Sequence, residues 1–370
     1  MAGVGNTGDG SYPLRALYLY LTDSCNLFCR HCWIQRPSPE PHQPQNSLAL
    51  KDLAKIIEQA LPLGLASVKL TGGEPLLHPE IRQVLDHLRE KGLVCALETN
   101  GVYCSAEIAD VIASGHDPSV SVSLDGVEAS THEWIRRTPG CFAAALMGIK
   151  NLVAAGLRPQ IIMTLMRRNR DQVEAMVRLA EDLGAGSVKF NVLQPLARAR
   201  EVHDAGEALA VDELVQVGHW VESELAPRTG LPLFFHQPAA FRPLSKIFAE
   251  NGHGCDWCGI LGILGVLANG SYALCGIGQT VPDLVFGEAA SQPLRTVWKK
   301  HPRLLELRRG LPQELQGVCG QCLMKHLCLG SCVAMTYSRA RSFWRPFWYC
   351  EQAQELGLFP ESRLITAKPS

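Results

Sequence analysis

From Arg15 to about Leu193 the chain alternates short apolar runs of strand character with segments of helical period, six times over. Repeated βα units of this kind pack around a parallel sheet. Strands are expected at Ala16–Leu21, Ser67–Leu70, Val94–Glu98, Val120–Leu124, Gln160–Leu165 and Ser187–Leu193. The intervening segments are amphipathic: Ile81, Val84, Leu85 and Leu88 recur at i, i+3, i+4 and i+7, and Val173, Met176, Val177 and Ala180 repeat the pattern. Pro79 and Gly92 bracket the first of these two stripes as a start and a stop. The expected fold class is α/β, a partial barrel of six βα units, with functional residues where the loops leave the C-terminal ends of the strands.

The residues with chemistry fall at those ends. Cys25-X3-Cys29-X2-Cys32 follows the first strand, Thr71-Gly72-Gly73-Glu74-Pro75 the second, Thr99-Asn100-Gly101 the third, and Ser123-Leu124-Asp125-Gly126 closes the fourth. Four-iron clusters are normally held by four thiolates, so three at close spacing point to a cluster with one open coordination position. Structural zinc is the competing reading, but it prefers four ligands in paired C-x2-4-C units, and the local sequence offers no fourth. His31, inside the triplet, is expected to point elsewhere.

With 46% hydrophobic and 19% charged residues among 370, the chain has the composition of a globular protein with a substantial core. A net charge of −1 argues against a nucleic-acid partner. The basic runs Arg167-Arg168-Asn169-Arg170 and Arg339 to Arg345 read first as solvated loops. The N-terminus lacks the basic and apolar regions of an export signal, and the greasiest stretch, Gly259 to Ala268, is about half a bilayer span. A cytoplasmic protein without a membrane span is expected, and in a reducing compartment fourteen cysteines favour metal or cluster ligation over disulfides. The organisation expected is an N-terminal extension (1–14), the barrel (15–200), a looser bridge (201–254), a cysteine-rich second domain (255–350) and a tail (351–370).

On these motifs the chain resembles a radical S-adenosylmethionine (SAM) enzyme with a partial (βα)6 TIM-like barrel and a C-terminal SPASM domain, of the group that matures peptides and proteins. The resemblance covers nearly the whole chain. It implies that Cys25, Cys29 and Cys32 hold the SAM-binding [4Fe-4S] cluster; His31 stands where the family usually has an aromatic residue. It implies further that Gly72, Gly73 and Glu74 approach the SAM amino group, that Ser123 and Asp125 bind the ribose, and that Arg136, with Arg137 as the alternative, pairs with the SAM carboxylate. Leu193 is carried over as an adenine contact through its backbone. In the cysteine-rich segment, the resemblance assigns Cys255, Cys258, Cys275 and Cys332 to one auxiliary [4Fe-4S] cluster and Cys319, Cys322, Cys328 and Cys350 to a second, three clusters in all. Cys95 reads as a core residue, and Cys104 and Cys141 as plain thiols that could also reach the active site; no general acid or base is identified.

The implied activity is reductive cleavage of SAM to a 5′-deoxyadenosyl radical, hydrogen abstraction from a peptide or protein residue, and net oxidation through the auxiliary clusters, giving a crosslink, thioether or similar product. The implied partners are the peptide substrate, a reductant such as flavodoxin or ferredoxin, and a separate leader-binding protein, since the first strand begins too early for a built-in leader-binding domain. Oxidation or decarboxylation of a small molecule or tetrapyrrole is the alternative. A non-catalytic electron-transfer or zinc protein is a third.

Overall fold

In the computed structural model, residues 12–34, 46–248 and 258–365 are described. Most of the N-terminal extension, Cys255 and the last five residues lie outside them. Six parallel strands stand in sequence order: β1 (Ala16–Tyr20), β2 (Ser67–Thr71), β3 (Val94–Thr99), β4 (Ser119–Ser123), β5 (Gln160–Leu165) and β6 (Ser187–Val192). Each agrees with the sequence reading to within one residue at either end. The helices that follow them are α1 (Leu50–Ala60), α2 (Ile81–Glu90), α3 (Ala106–Ala113), α4 (Ala129–Arg136), α5 (Cys141–Ala154), α6 (Val173–Asp182) and α7 (Ala199–Asp204).

Both amphipathic stripes are core. Ile81, Val84, Leu85 and Leu88 are the buried residues of α2, and Val173, Met176, Val177 and Ala180 those of α6. Burying each large aliphatic side chain contributes about 1.5–3 kcal/mol, enough to fix which face of the helix meets the sheet. In β1 the alternation is equally plain: Leu17 and Leu19 are fully buried against the helical layer, while Tyr18 and Tyr20, alternating with them, belong to the opposite face.

The sheet does not stop at six strands. β7 (Leu233–Phe235), from the segment read as a bridge, pairs in parallel with β6. β8 (Ile263–Val266), from the cysteine-rich segment, pairs in parallel with β1, and the antiparallel strands β9 (Ser271–Ala273) and β10 (Val285–Glu288) continue from it. The order β10-β9-β8-β1-β2-β3-β4-β5-β6-β7 therefore binds the C-terminal segment to the barrel through backbone hydrogen bonds.

Candidate active site

A cavity of about 350 Å³ opens at the C-terminal ends of the strands. Cys25, Cys29 and Cys32 line it, as do Gly72, Gly73, Glu74, Ser123 and Arg136. The loop that carries the thiols is held from two sides. The C-terminal carbonyls of α4, which have no partner inside the helix, accept from it: Ile135 from the Arg30 amide at 2.8 Å and Arg136 from the Phe28 amide at 3.3 Å. From the other side, the amides of Gly73 and Glu74 donate to the carbonyls of Thr22 and Ser24, both at 2.7 Å.

That second contact explains the glycines. Gly72 has φ +128°, outside the range that side chains tolerate, and a Cβ on it would lie 2.7 Å from the Thr22 carbonyl oxygen. A Cβ on Gly73 would lie 2.1 Å from that of Ser24. Close backbone approach was expected toward a ligand; in the structure the thing approached is the cysteine loop.

Glu74 is buried and its carboxylate is fully engaged. It accepts from Thr99 Oγ1 (2.7 Å) and from the amides of Asn100 (2.8 Å) and Leu76 (3.0 Å). Burial pushes its pKa up, restrained by the Asn100 and Thr99 hydrogen bonds. It thereby locks the loop after β2 to the loop after β3. Asn100 extends this tie, donating to Asn26 Oδ1 at 2.8 Å with the Cys25 sulfur at 3.9 Å.

The structure separates Ser123 from Asp125. Ser123 lines the cavity; Asp125 is fully buried behind it and is not part of the wall. Its carboxylate meets Arg136 at 2.6 Å and His31 Nε2 at 3.4 Å, and accepts from the Thr164 amide at 2.9 Å. Burial opposes ionisation, yet Arg136 above all, with His31 and His132, holds the Asp125 pKa below the usual carboxylate range. Where a ribose contact is expected of Asp125, the structure places its carboxylate behind the cavity wall, against Arg136. Arg136 in turn points Nη1 at the Cys29 sulfur, 3.6 Å away. Burial works against its charge, but Asp125 and Cys29 outweigh that and raise its pKa.

His31 does not point away from the site: it lines the cavity, and burial, together with the charges of Arg136 and Arg198, lowers its pKa to about 4 in spite of Asp125. Arg137 is exposed at the left-handed cap of α4, over the Phe28 ring, and leaves the cavity to Arg136. The Leu193 side chain packs with Ile135, Met166, Ala199 and Val202; its neighbours Val192 and Gln194 line the cavity. Sequence reasoning missed Arg198, which lines the cavity and donates from Nε to the Cys29 carbonyl at 3.0 Å. Only its place just beyond β6 could have flagged it.

Three thiols around a cavity, with a cation and an amide side chain beside two of their sulfurs, fit a cluster bound by three cysteines. Among the described residues, no three His, Cys, Asp or Glu side chains converge closely enough to hold a single metal ion.

The C-terminal thiols are arranged differently. Cys319 and Cys350 hydrogen-bond one another, with Cys322 and Cys328 close by. The amides of Phe347 and Met324 donate to the sulfurs of Cys319 and Cys322 at 3.4 and 3.3 Å. This gathers the four cysteines assigned to one auxiliary cluster. Cys275 lies near Cys332, and the next amide, that of Gly276, donates to the Tyr20 hydroxyl of β1 at 2.8 Å. Cys258 is exposed and Cys255 lies outside the described residues. Cys95, Cys104 and Cys141 are buried off the cavity wall, and burial pushes the pKa of each up to about 12.

The family described as the radical SAM superfamily matches residues 19–180. An AdoMet-dependent heme synthase of Methanosarcina barkeri is 30% identical over 343 residues, covering 89% of this chain and 94% of its own. Mycofactocin maturase MftC of Mycobacterium tuberculosis is 28% identical over 319 residues, covering 86% and 78%. Among solved structures, anSMEcpe with bound AdoMet and the Cp18Cys peptide superposes with a TM-score of 0.69 at 17% identity, covering 94% of this chain and 96% of that one.

Proposed function

Because the chain belongs to the radical SAM superfamily, and is thus an enzyme that binds SAM at a [4Fe-4S] cluster, we propose that it matures a peptide or protein by net oxidation. The observation that carries this reading is the meeting of Cys25, Cys29, Cys32, the Gly72-Gly73 turn and Ser123 around one cavity at the strand ends. When bound, the cluster and SAM supply a 5′-deoxyadenosyl radical upon one-electron reduction.

The chain's own residues position that chemistry. Glu74 fixes the loop after β2, so that the backbone of Gly72 and Gly73 is available to the SAM amino group. Ser123 is the candidate for the ribose, and the backbone from Val192 to Gln194 for the adenine. Arg136 is set by Asp125 so that its guanidinium lies beside the Cys29 sulfur, where it stabilises thiolate charge and remains within the cavity wall to meet a carboxylate. Cys319, Cys322, Cys328 and Cys350 would hold one auxiliary cluster, and Cys255, Cys258, Cys275 and Cys332 another, accepting the electron that net oxidation releases. A flavodoxin- or ferredoxin-type reductant, a separate leader-binding protein and a cytoplasmic setting complete the reading. Among the described residues no helix is long and apolar enough to cross a membrane.

The test is to reconstitute the protein anaerobically and incubate it with SAM, reductant and peptides encoded beside its gene, following the peptides by mass spectrometry. A mass loss of hydrogen or of a carboxyl group in a peptide supports the proposal. SAM turnover with every peptide unaltered contradicts it. The 30% identity to a heme synthase favours a second reading, oxidation or decarboxylation of a tetrapyrrole; the same assay with porphyrin carboxylates separates the two.

A further inference from the structure

Alternate residues of the cysteine loop face opposite ways. Leu27, Cys29 and His31 line the cavity, whereas Phe28 and Arg30 do not. On that outer side Arg30, Arg137 and Arg168 gather on two rings, one of which also carries Arg198 from the cavity wall. The guanidiniums of Arg30 and Arg168 lie 4.4 and 4.1 Å from the centre of the Trp134 ring, and those of Arg137 and Arg198 lie 5.1 and 4.0 Å from that of Phe28. Among the described residues none of the four forms a salt bridge, although the neighbouring Arg167 and Arg170 both pair with Glu213. Glu133, the carboxylate within α4 itself, faces the Phe142 amide at 3.4 Å.

Cations that cluster without carboxylates repel one another. Here ring faces and the negative end of α4 offset the repulsion, since Arg30 Nε donates to the Trp134 carbonyl at 2.9 Å. Capping that helix needs one arginine at most. Arg198 is held by the Cys29 carbonyl in the cavity wall; Arg137 and Arg168, exposed in a chain whose net charge is −1, make with Arg30 a positive face directly outside the loop that carries the cluster thiols.

We propose that this face, Arg30, Arg137 and Arg168 around Trp134 and Phe28, docks an acidic one-electron carrier protein that reduces the cluster held by Cys25, Cys29 and Cys32. The inference rests on the radical SAM reading, which requires one electron per SAM cleaved. In the step itself one electron leaves the reduced carrier and enters the cluster; no bond or proton moves. An acidic peptide would fit the charge, but a peptide to be modified must enter the cavity, and Arg30, Arg137 and Arg168 lie outside its wall. An electron needs only proximity to the loop.

The experiment uses the full-length, anaerobically reconstituted protein and flavodoxin hydroquinone as the probe, with cluster reduction followed by stopped-flow absorbance at low and high ionic strength. Two variants are compared with the parent: Arg168→Glu, and Arg168→Gln combined with Arg137→Asn, asparagine being chosen because residue 137 sits at φ +58°. Steering by complementary charge raises association rates by about 10- to 1000-fold. The expected result is reduction by flavodoxin slowed about tenfold or more at low salt and a flattened salt dependence in both variants, with dithionite-driven 5′-deoxyadenosine formation unchanged. Carrier rates and salt dependence equal to the parent's, with normal dithionite turnover, would overturn the docking face alone. Weakened peptide binding with unaltered flavodoxin rates would overturn it in favour of a peptide-binding surface. Failure of the parent to form 5′-deoxyadenosine with dithionite would instead strike the radical reading beneath it.

Discussion

The Cys25–Cys32 loop holds its sulfurs around a cavity and sets Arg136 and Asn100 against two of them, whereas in the C-terminal group Cys319 and Cys350 hydrogen-bond one another with Cys322 and Cys328 nearby, and backbone amides donate to Cys319 and Cys322. The first arrangement leaves room for a molecule beside a fixed cation and an amide side chain. The second lines no cavity of this kind among the described residues. On the proposed reading, thiol number and donor type divide the tasks: the three thiols with polar side chains would serve chemistry, and the four thiols with amides would serve structure and electron storage.

The contrast is tested first where the effect is largest. Because ligation energy at a four-thiolate site is folding energy, Cys319→Ala should destabilise the protein by on the order of 5 kcal/mol or more, read as a lowered urea midpoint under anaerobic conditions. Replacing Cys25, Cys29 and Cys32 together by alanine should shift that midpoint far less while abolishing SAM-dependent chemistry. Equal shifts would erase the distinction.

Next comes Asp125→Asn. It leaves the Arg136 charge buried without its partner at 2.6 Å, a change that costs about 3–5 kcal/mol, and it should also perturb the electron paramagnetic resonance signal of the reduced N-terminal cluster. A variant as stable as the parent would show that Arg136 does not depend on Asp125. Gly73→Ala is smaller: its Cβ would displace the Ser24 carbonyl, costing about 1–3 kcal/mol and weakening SAM binding in equilibrium dialysis.

The smallest effect concerns pH. Burial, then the Arg136 charge, lowers the His132 pKa from 6.5 to about 3, and its Nδ1 accepts from the Asp125 amide at 3.1 Å. Between those two pKa values the unfolded chain takes up a proton that the folded chain refuses, so stability falls as pH drops below 6.5. From pH 7.5 to 5.5 this one group should remove about 1.4 kcal/mol. Denaturation of the parent and of His132→Gln at both pH values checks it, and an unchanged pH slope in the variant would exclude the histidine as the source.

The six barrel strands and both apolar stripes were legible because each is a local pattern with a period. β7 and β8 were not: three and four residues long, they become strands only by pairing with β6 and β1, far away in sequence, and no local period records that. The same limit applies to the site. Cys25, Gly73 and Ser123 could be placed because each lies at or just beyond the C-terminal end of its own strand. The reading gave Asp125 and Arg136 separate contacts with SAM, whereas Asp125, just before α4, meets Arg136 at that helix's end, and Asn100 stood in view at the end of β3 with no role. Long-range partners of charged and amide groups are decided by packing, and that is where the reading stopped.

The central claim is that the N-terminal triplet is the reactive site and the C-terminal group is not. The most direct measurement is dithionite-driven formation of 5′-deoxyadenosine by anaerobically reconstituted parent protein and by the variant with Cys25, Cys29 and Cys32 replaced by alanine, with iron counted in both. The account predicts product from the parent and none from the variant, which keeps the iron of its C-terminal cysteines. Equal product from both, or zinc in place of iron in a parent that leaves SAM intact, would contradict it.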